Sequence, residues 1–155
     1  MPVEYLPELQ HAGGQVVELA KAIPPGKYDW RPGPGVRSVS EVFMHIAAGN
    51  SLLLGQAGVK SITSADLVAA QKMEKSVTKK EEVIAELEKS LKAVEDAYQH
   101  TTPQEFNRKI KFFGGPERTI AGVYLRILVH VNEHMGQAVA YARMNGIVPP
   151  WSAKQ

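Results

Sequence analysis

The sequence contains no cysteine. Disulfides, thiolate zinc sites and a cysteine nucleophile are therefore excluded, and any thiol chemistry must use a thiol brought from outside. Charge of one sign is also lacking: 18 Lys and Arg stand against 16 Asp and Glu, a net +2. The lysines between Lys72 and Lys92 alternate with glutamates, as on a solvated helix face. No contiguous basic stripe or basic run interleaved with aromatics is present, which excludes a nucleic-acid surface. No apolar run approaches the roughly 18 residues of a membrane span, and MPVEYLPELQ has no charged leader followed by an apolar core, so the expectation is a cytoplasmic chain without a membrane partner. With 155 residues and 44% hydrophobic content, residues 1–155 are expected to form a single domain with a core of its own.

What is present is helical periodicity. Thr119 to Gly146 reads as one long helix, capped by Thr119, ended by a left-handed Gly146 and barred from continuing by Pro149 and Pro150. His130 and His134 stand one turn apart on it, and Val123, Ile127, Gln137 and Tyr141 fall on the same side, with Glu133 at its edge. That face is mostly apolar and so points inward. A buried imidazole with unpaired nitrogens costs about 1 to 3 kcal/mol. Either a metal shared by the pair, or hydrogen bonds from Gln137 and Tyr141, would supply partners.

Earlier in the chain, Tyr5 to Ile23 carries Leu6, Leu9, Val16, Val17 and Ala20 at helical spacing, with His11 off the apolar stripe as a surface residue. PPGKYDWRPGPGVR then forbids regular structure through its prolines and glycines. It is an ordered loop if Tyr28 and Trp30 pack down, Trp30 serving either as a core plug or as a pocket wall. SVSE is a capping box, Ser38 with Glu41, opening a helix from Val39 to about Gly55 with His45 at the border of its apolar face. A short helical piece is expected near Leu67 to Met73. A second capping box at Thr78 to Glu81 opens a helix that ends near His100, with Val83, Ile84, Leu87, Leu91, Val94 and Tyr98 along its seam. His100 suits the negative end of that helix. TTPQEFNRKIKFFGGPER suggests a turn of helix, then an irregular or short hairpin segment.

The expected fold is therefore all-α: an up-and-down-type four-helix bundle with a long loop after the first helix and a short irregular or hairpin segment before the last. Such bundles build metal sites from residues on facing helices. His45 with the pair His130 and His134 would make a three-histidine set, holding a metal at about 2.0 to 2.1 Å per nitrogen and leaving a position open.

SVSEVFMHIAAGN and VHVNEHMGQAVAYARMNGIVPP, approached through PGKYDWRPGPGVRSVSE, resemble the signature stretches of the DinB-like metal-binding bundle proteins. The resemblance covers most of the chain in layout, and HxxxHxxQxxxYxRxxG is its most discriminating part. It implies a divalent metal, zinc or nickel, on His45, His130 and His134, and a homodimer. It also implies, for some members, a transferase that joins a low-molecular-weight thiol to a small-molecule electrophile. In that reading a metal-bound thiol loses its proton and attacks, Glu133 accepts the proton, orients His45 or is simply a surface residue, and Gln137, Tyr141 and Trp30 line the pocket or support the ligands. Two alternatives stand beside it. One is a metal-binding or stress-response protein without turnover. The other reads His130, Glu133 and His134 as HxxEH, a metallopeptidase pattern with Glu133 as general base, although no acidic residue follows His134 to serve as a further ligand.

Overall fold

The computed structural model describes residues 4–58 and 63–153. Six helices and one hairpin account for its regular structure: α1 (Tyr5–Ala22), α2 (Val39–Gln56), α3 (Ser64–Ser76), α4 (Lys80–His100), α5 (Pro103–Phe106), β1 (Lys109–Lys111), β2 (Glu117–Thr119) and α6 (Ile120–Met144). The bundle consists of α1, α2, α4 and α6, in agreement with the all-α expectation.

Contacts at the helix ends set the directions. The ammonium of Lys80, at the start of α4, donates to the carbonyls of Lys21 and Ile23 at the end of α1. At the other end of the bundle, the Tyr5 ring stacks on Tyr98 from the end of α4, and its hydroxyl donates to the Tyr124 carbonyl near the start of α6. α1 is thus antiparallel to α4 and parallel to α6. Val39, at the start of α2, shares a buried cluster with Val83, Tyr141 and Ala142. Leu53 and Leu54, near its end, share another with Val94, Ile120 and Tyr124. Consequently α2 runs with α4 and against α6, and the bundle order is up, down, down, up. Two successive helices that descend side by side need a return path, as parallel neighbours joined by a short turn cannot be. α3 spans part of that return. The sequence suggested a short piece at Leu67 to Met73; the helix is longer and carries its own capping box, Thr63 with Asp66.

The loop after α1 is pinned as the aromatic residues required. Tyr28 is buried, and its hydroxyl donates to the Ala20 carbonyl at 2.7 Å. Trp30 is half-buried against the edge of Tyr141. The amides of Val39 and Ser40, free at the first turn of a helix, donate to the carbonyls of Trp30 and Tyr28, so the loop itself satisfies the opening of α2. Ser38 and Glu41 form the expected box.

The box expected at Thr78 and Glu81 does not form: α4 starts one residue later, with Lys79 as its cap and no side-chain cap bond. Starting there leaves Glu81 short of the third helical position that a box needs. The segment before α6 is a hairpin with a short helix ahead of it; β1 pairs antiparallel with β2, Ile110 opposite Arg118. Phe113 at its turn takes a positive φ of 47°, and its amide donates to the Gln56 side chain, fixing the hairpin to the end of α2. Among the described residues no helix is long and apolar enough to cross a membrane.

Candidate metal centre

His45 faces inward from the second turn of α2, where the antiparallel α6 brings His130 and His134 alongside. One nitrogen from each of the three rings can be chosen so that all lie within 4.8 Å of one another. Nε2 of His45 is 3.3 Å from Nε2 of His130. Two nitrogens bound to one tetrahedral ion at about 2.0 to 2.1 Å would stand about 3.3 Å apart. The spacing therefore fits a first-row divalent ion without rearrangement of these two helices.

Hydrogen bonding selects the nitrogens. Nδ1 of His45 lies 2.8 Å from Oε2 of Glu74 on α3; a carboxylate only accepts, so this nitrogen carries the hydrogen and Nε2 keeps its lone pair. Glu74 is itself held, its Oε1 accepting from Nε of Arg37 at 2.6 Å. On the other helix, Nδ1 of His134 is 2.9 Å from Oε1 of Gln137, whose amide donates to the Tyr141 hydroxyl at 3.0 Å. These are the supports that metal-ligating histidines use to fix ring orientation and basicity. His130 is the most buried of the three, 8% exposed, and its Nδ1 has no partner among the described residues. Its ring is placed by packing: a Cβ on Gly49 would lie 2.3 Å from its Cε1. Only glycine at that point of α2 leaves room for the imidazole.

Electrostatics favour the neutral, ligating form of His130 and His45. Burial, with the positive charges that His134 and His45 would add, pushes the His130 imidazole down to about 4. Burial also lowers His45, partly offset by the Glu74 bond and reinforced by the Arg37 charge. For Glu74, burial acts upward, but the hydrogen bonds from Arg37 and His45 outweigh it and hold the carboxyl below its usual range. Neutral imidazoles backed by an ionised carboxylate form a donor set suited to zinc or nickel.

The other residues singled out in the sequence divide. Gln137 and Tyr141 form a hydrogen-bonded chain behind His134, and Trp30 packs against the edge of Tyr141. Glu133 points away. It is exposed, and its carboxylate is paired with the Arg126 guanidinium two turns back on α6, a pairing that holds it below the usual carboxylate range. The carboxylate bonded to His45 is Glu74, and Glu133 is engaged by Arg126 instead. Glu74 and Gly49 escaped the sequence reading. Glu74 gave no signal on a polar helix, whereas a glycine inside α2, one turn after His45, was a signal that could have been taken.

A four-helix bundle whose facing helices present three histidines, two of them braced from behind, has the arrangement from which bundles build metal sites, and the three could hold an ion. The chain belongs to the DinB superfamily, whose family model matches residues 8–138. Solved structures share the fold. A DinB-like protein from Bacillus cereus ATCC 10987 superposes with a TM-score of 0.80 at 18% identity, covering 94% of this chain and 93% of its own. A member of the family from Exiguobacterium sibiricum 255-15 gives 0.71 at 22%, covering 94% and 95%. The DinB-like protein YjoA from Bacillus subtilis gives 0.71 at 16%, covering 92% of each chain. No curated protein matches the sequence.

Proposed function

We propose that the protein is a metal-dependent enzyme that joins an external low-molecular-weight thiol to a small-molecule electrophile, with zinc or nickel held by His45, His130 and His134. The observation that carries the metal is the convergence of three imidazole nitrogens within 4.8 Å, two of them with the opposite ring nitrogen hydrogen-bonded. The thiol rests on the family resemblance and on the absence of cysteine, which leaves the chain without a sulfur nucleophile of its own. An ion in this site supplies Lewis acidity, lowering the pKa of a thiol bound to it. Glu74 holds His45 in register, Gln137 and Tyr141 do the same for His134, and Trp30 limits water at the Tyr141 side. Three histidine ligands would leave a position on a bound ion for a further ligand, the donor count of catalytic rather than structural sites.

A homodimer forms part of the same proposal. It is supported by Leu125 and Val129, which are 58% and 39% exposed on α6, beside a groove of about 380 Å³ bordered by Tyr5, Leu125 and Leu128. Light scattering on wild type and Leu125→Glu tests this element separately from the chemistry.

The decisive experiment is elemental analysis of protein purified without a histidine tag or added metal, alongside His45→Ala and His130→Ala. About one divalent ion per chain, absent in both variants, is expected. Thiol consumption with a panel of soft electrophiles is then compared between metal-loaded and stripped protein. Equal rates would remove the transferase reading, and a bound metal with no thiol turnover would favour a metal protein without catalysis.

A further inference from the structure

Beside the histidines lies a cleft of about 530 Å³ whose wall includes Arg31, Arg37, Lys75, Glu41, Glu74 and Gln137. It touches the metal centre through shared residues: Glu74 is bonded to His45 and Gln137 to His134. Its size falls in the range of small-molecule sites.

The two carboxylates in the wall are already occupied. Glu41 accepts from the Ser38 amide at 2.7 Å, closing the cap of α2, and pairs with Arg31 at 3.2 Å. Glu74 is taken by Arg37 and His45. The cations retain unused capacity. Arg37 bonds Glu74 through Nε, which leaves its Nη donors for another acceptor. Arg31 is fixed by the Val36 carbonyl at 2.7 Å and by Glu41, both through Nη1. Lys75 makes no hydrogen bond or ion pair with the described residues. Three cations against two satisfied anions give a surface rich in donors and short of acceptors, with both guanidinium groups held in place before any ligand arrives. Guanidinium forks match the paired oxygens of carboxylates and phosphates.

Resting on the proposed small-molecule chemistry at the histidines, we infer that this cleft is an oxyanion subsite: it holds the carboxylate or phosphate end of the substrate, with Arg31, Arg37 and Lys75 as its recognition groups. The substrate is then an acid, and a neutral analogue of the same shape binds poorly. The subsite is built wholly from side chains of this chain, so it exists in metal-free protein too.

Calorimetric titration of metal-free and zinc-loaded protein with glutarate, with its neutral diamide glutaramide and with glycerol phosphate tests the inference. Glutarate or glycerol phosphate should bind metal-free protein at least about tenfold more tightly than glutaramide, the scale of charge-assisted hydrogen bonds, and the difference should shrink as salt is added. The variant Arg31→Gln/Lys75→Gln, which leaves Arg37 in place to hold Glu74, should lose most of that preference while retaining its metal content. Preference for one acid over the other identifies which oxyanion the cleft takes, and equal binding supports the chemistry common to both. Equal affinity for glutarate, glycerol phosphate and glutaramide, or an unchanged preference in the double variant, would overturn the subsite. Wild type that binds metal but shows no oxyanion preference removes the subsite alone. Wild type that prefers the oxyanion but purifies without metal removes only the metal-enzyme reading.

Discussion

Glu74 braces His45 across two helices: its Oε2 sits 2.8 Å from Nδ1, while the opposite nitrogen of the same ring stands 3.3 Å from Nε2 of His130. Removing the brace frees the ring to rotate and lowers its basicity, without touching a ligand. Glu74→Ala should therefore weaken metal binding about 10- to 100-fold, as loss of such supports does elsewhere. Glu74→Gln retains an oxygen acceptor for Nδ1–H and should lose less. Competition with a chromophoric chelator measures both, and equal affinities in Glu74→Ala and wild type would show that the contact does not support the site.

Gly49→Ala tests the packing on the other side of the site. The added methyl would meet Cε1 of His130 at 2.3 Å and its Nδ1 at 2.9 Å, so the ring must move and the set of nitrogens opens. Overpacking of this kind costs about 1 to 3 kcal/mol, and the metal should be lost or bound far more weakly. Gly136, in α6 with nothing near its missing Cβ, is the control. There alanine should be neutral or stabilising by up to about 1 kcal/mol, from helix propensity alone. Urea stability should therefore fall in Gly49→Ala and hold or rise in Gly136→Ala, and only Gly49→Ala should lose metal.

The difference between Gly49 and Glu74 shows what the chain reveals unaided. The pair His130 and His134 is legible because the 3.6-residue period places both rings on one apolar face, and His45 becomes legible once the helices are counted, since a bundle core must be built from facing sides. The bracing of His134 by Gln137 and Tyr141 follows from the same period. Glu74 is not legible, because it acts through the crossover. α3 has no buried residue among its described side chains, so it lacks the apolar stripe that would announce a packed helix, and only the up-down-down-up path carries its end back to the start of α2. Thr78 illustrates the opposite failure. A capping-box spelling was present, but the end of α1, reached by Lys80, offers tertiary bonds at the next residue and the helix starts there instead.

Glu133→Gln separates the two metal-enzyme readings. The carboxylate is exposed and bound to Arg126, so its loss should leave metal content unchanged and thiol turnover within about fivefold, the effect of a surface pair worth no more than about 1 kcal/mol. A peptidase using Glu133 as general base would instead lose its cleavage activity, about 100- to 10,000-fold for a removed general base. Peptide hydrolysis that disappears in Glu133→Gln would require the side chain to leave Arg126 and would overturn the assignment of Glu74 as the carboxylate serving the histidines.

The buried histidines also give the metal-free protein a defined response to acid. His130 is lowered to about 4, chiefly by burial, against about 6.5 in an unfolded chain, and His45 is lowered in the same sense. Between these values the unfolded state binds a proton that the folded state refuses, so stability rises with pH across this window and is lost as pH falls from about 6.5 toward 4. For His130 alone the loss is on the order of 3 kcal/mol at most. The depressed carboxyl of Glu74 acts in the same direction at lower pH, below about 4.5, where an unfolded glutamate takes up its proton. Urea midpoints measured on stripped protein at pH 7, 6, 5 and 4.5 should therefore fall steadily, and His130→Leu should fall less steeply across the same range because it no longer resists protonation. Parallel lines for His130→Leu and wild type would mean that His130 accepts its proton in the folded state, and that its burial does not preserve the free lone pair a metal needs.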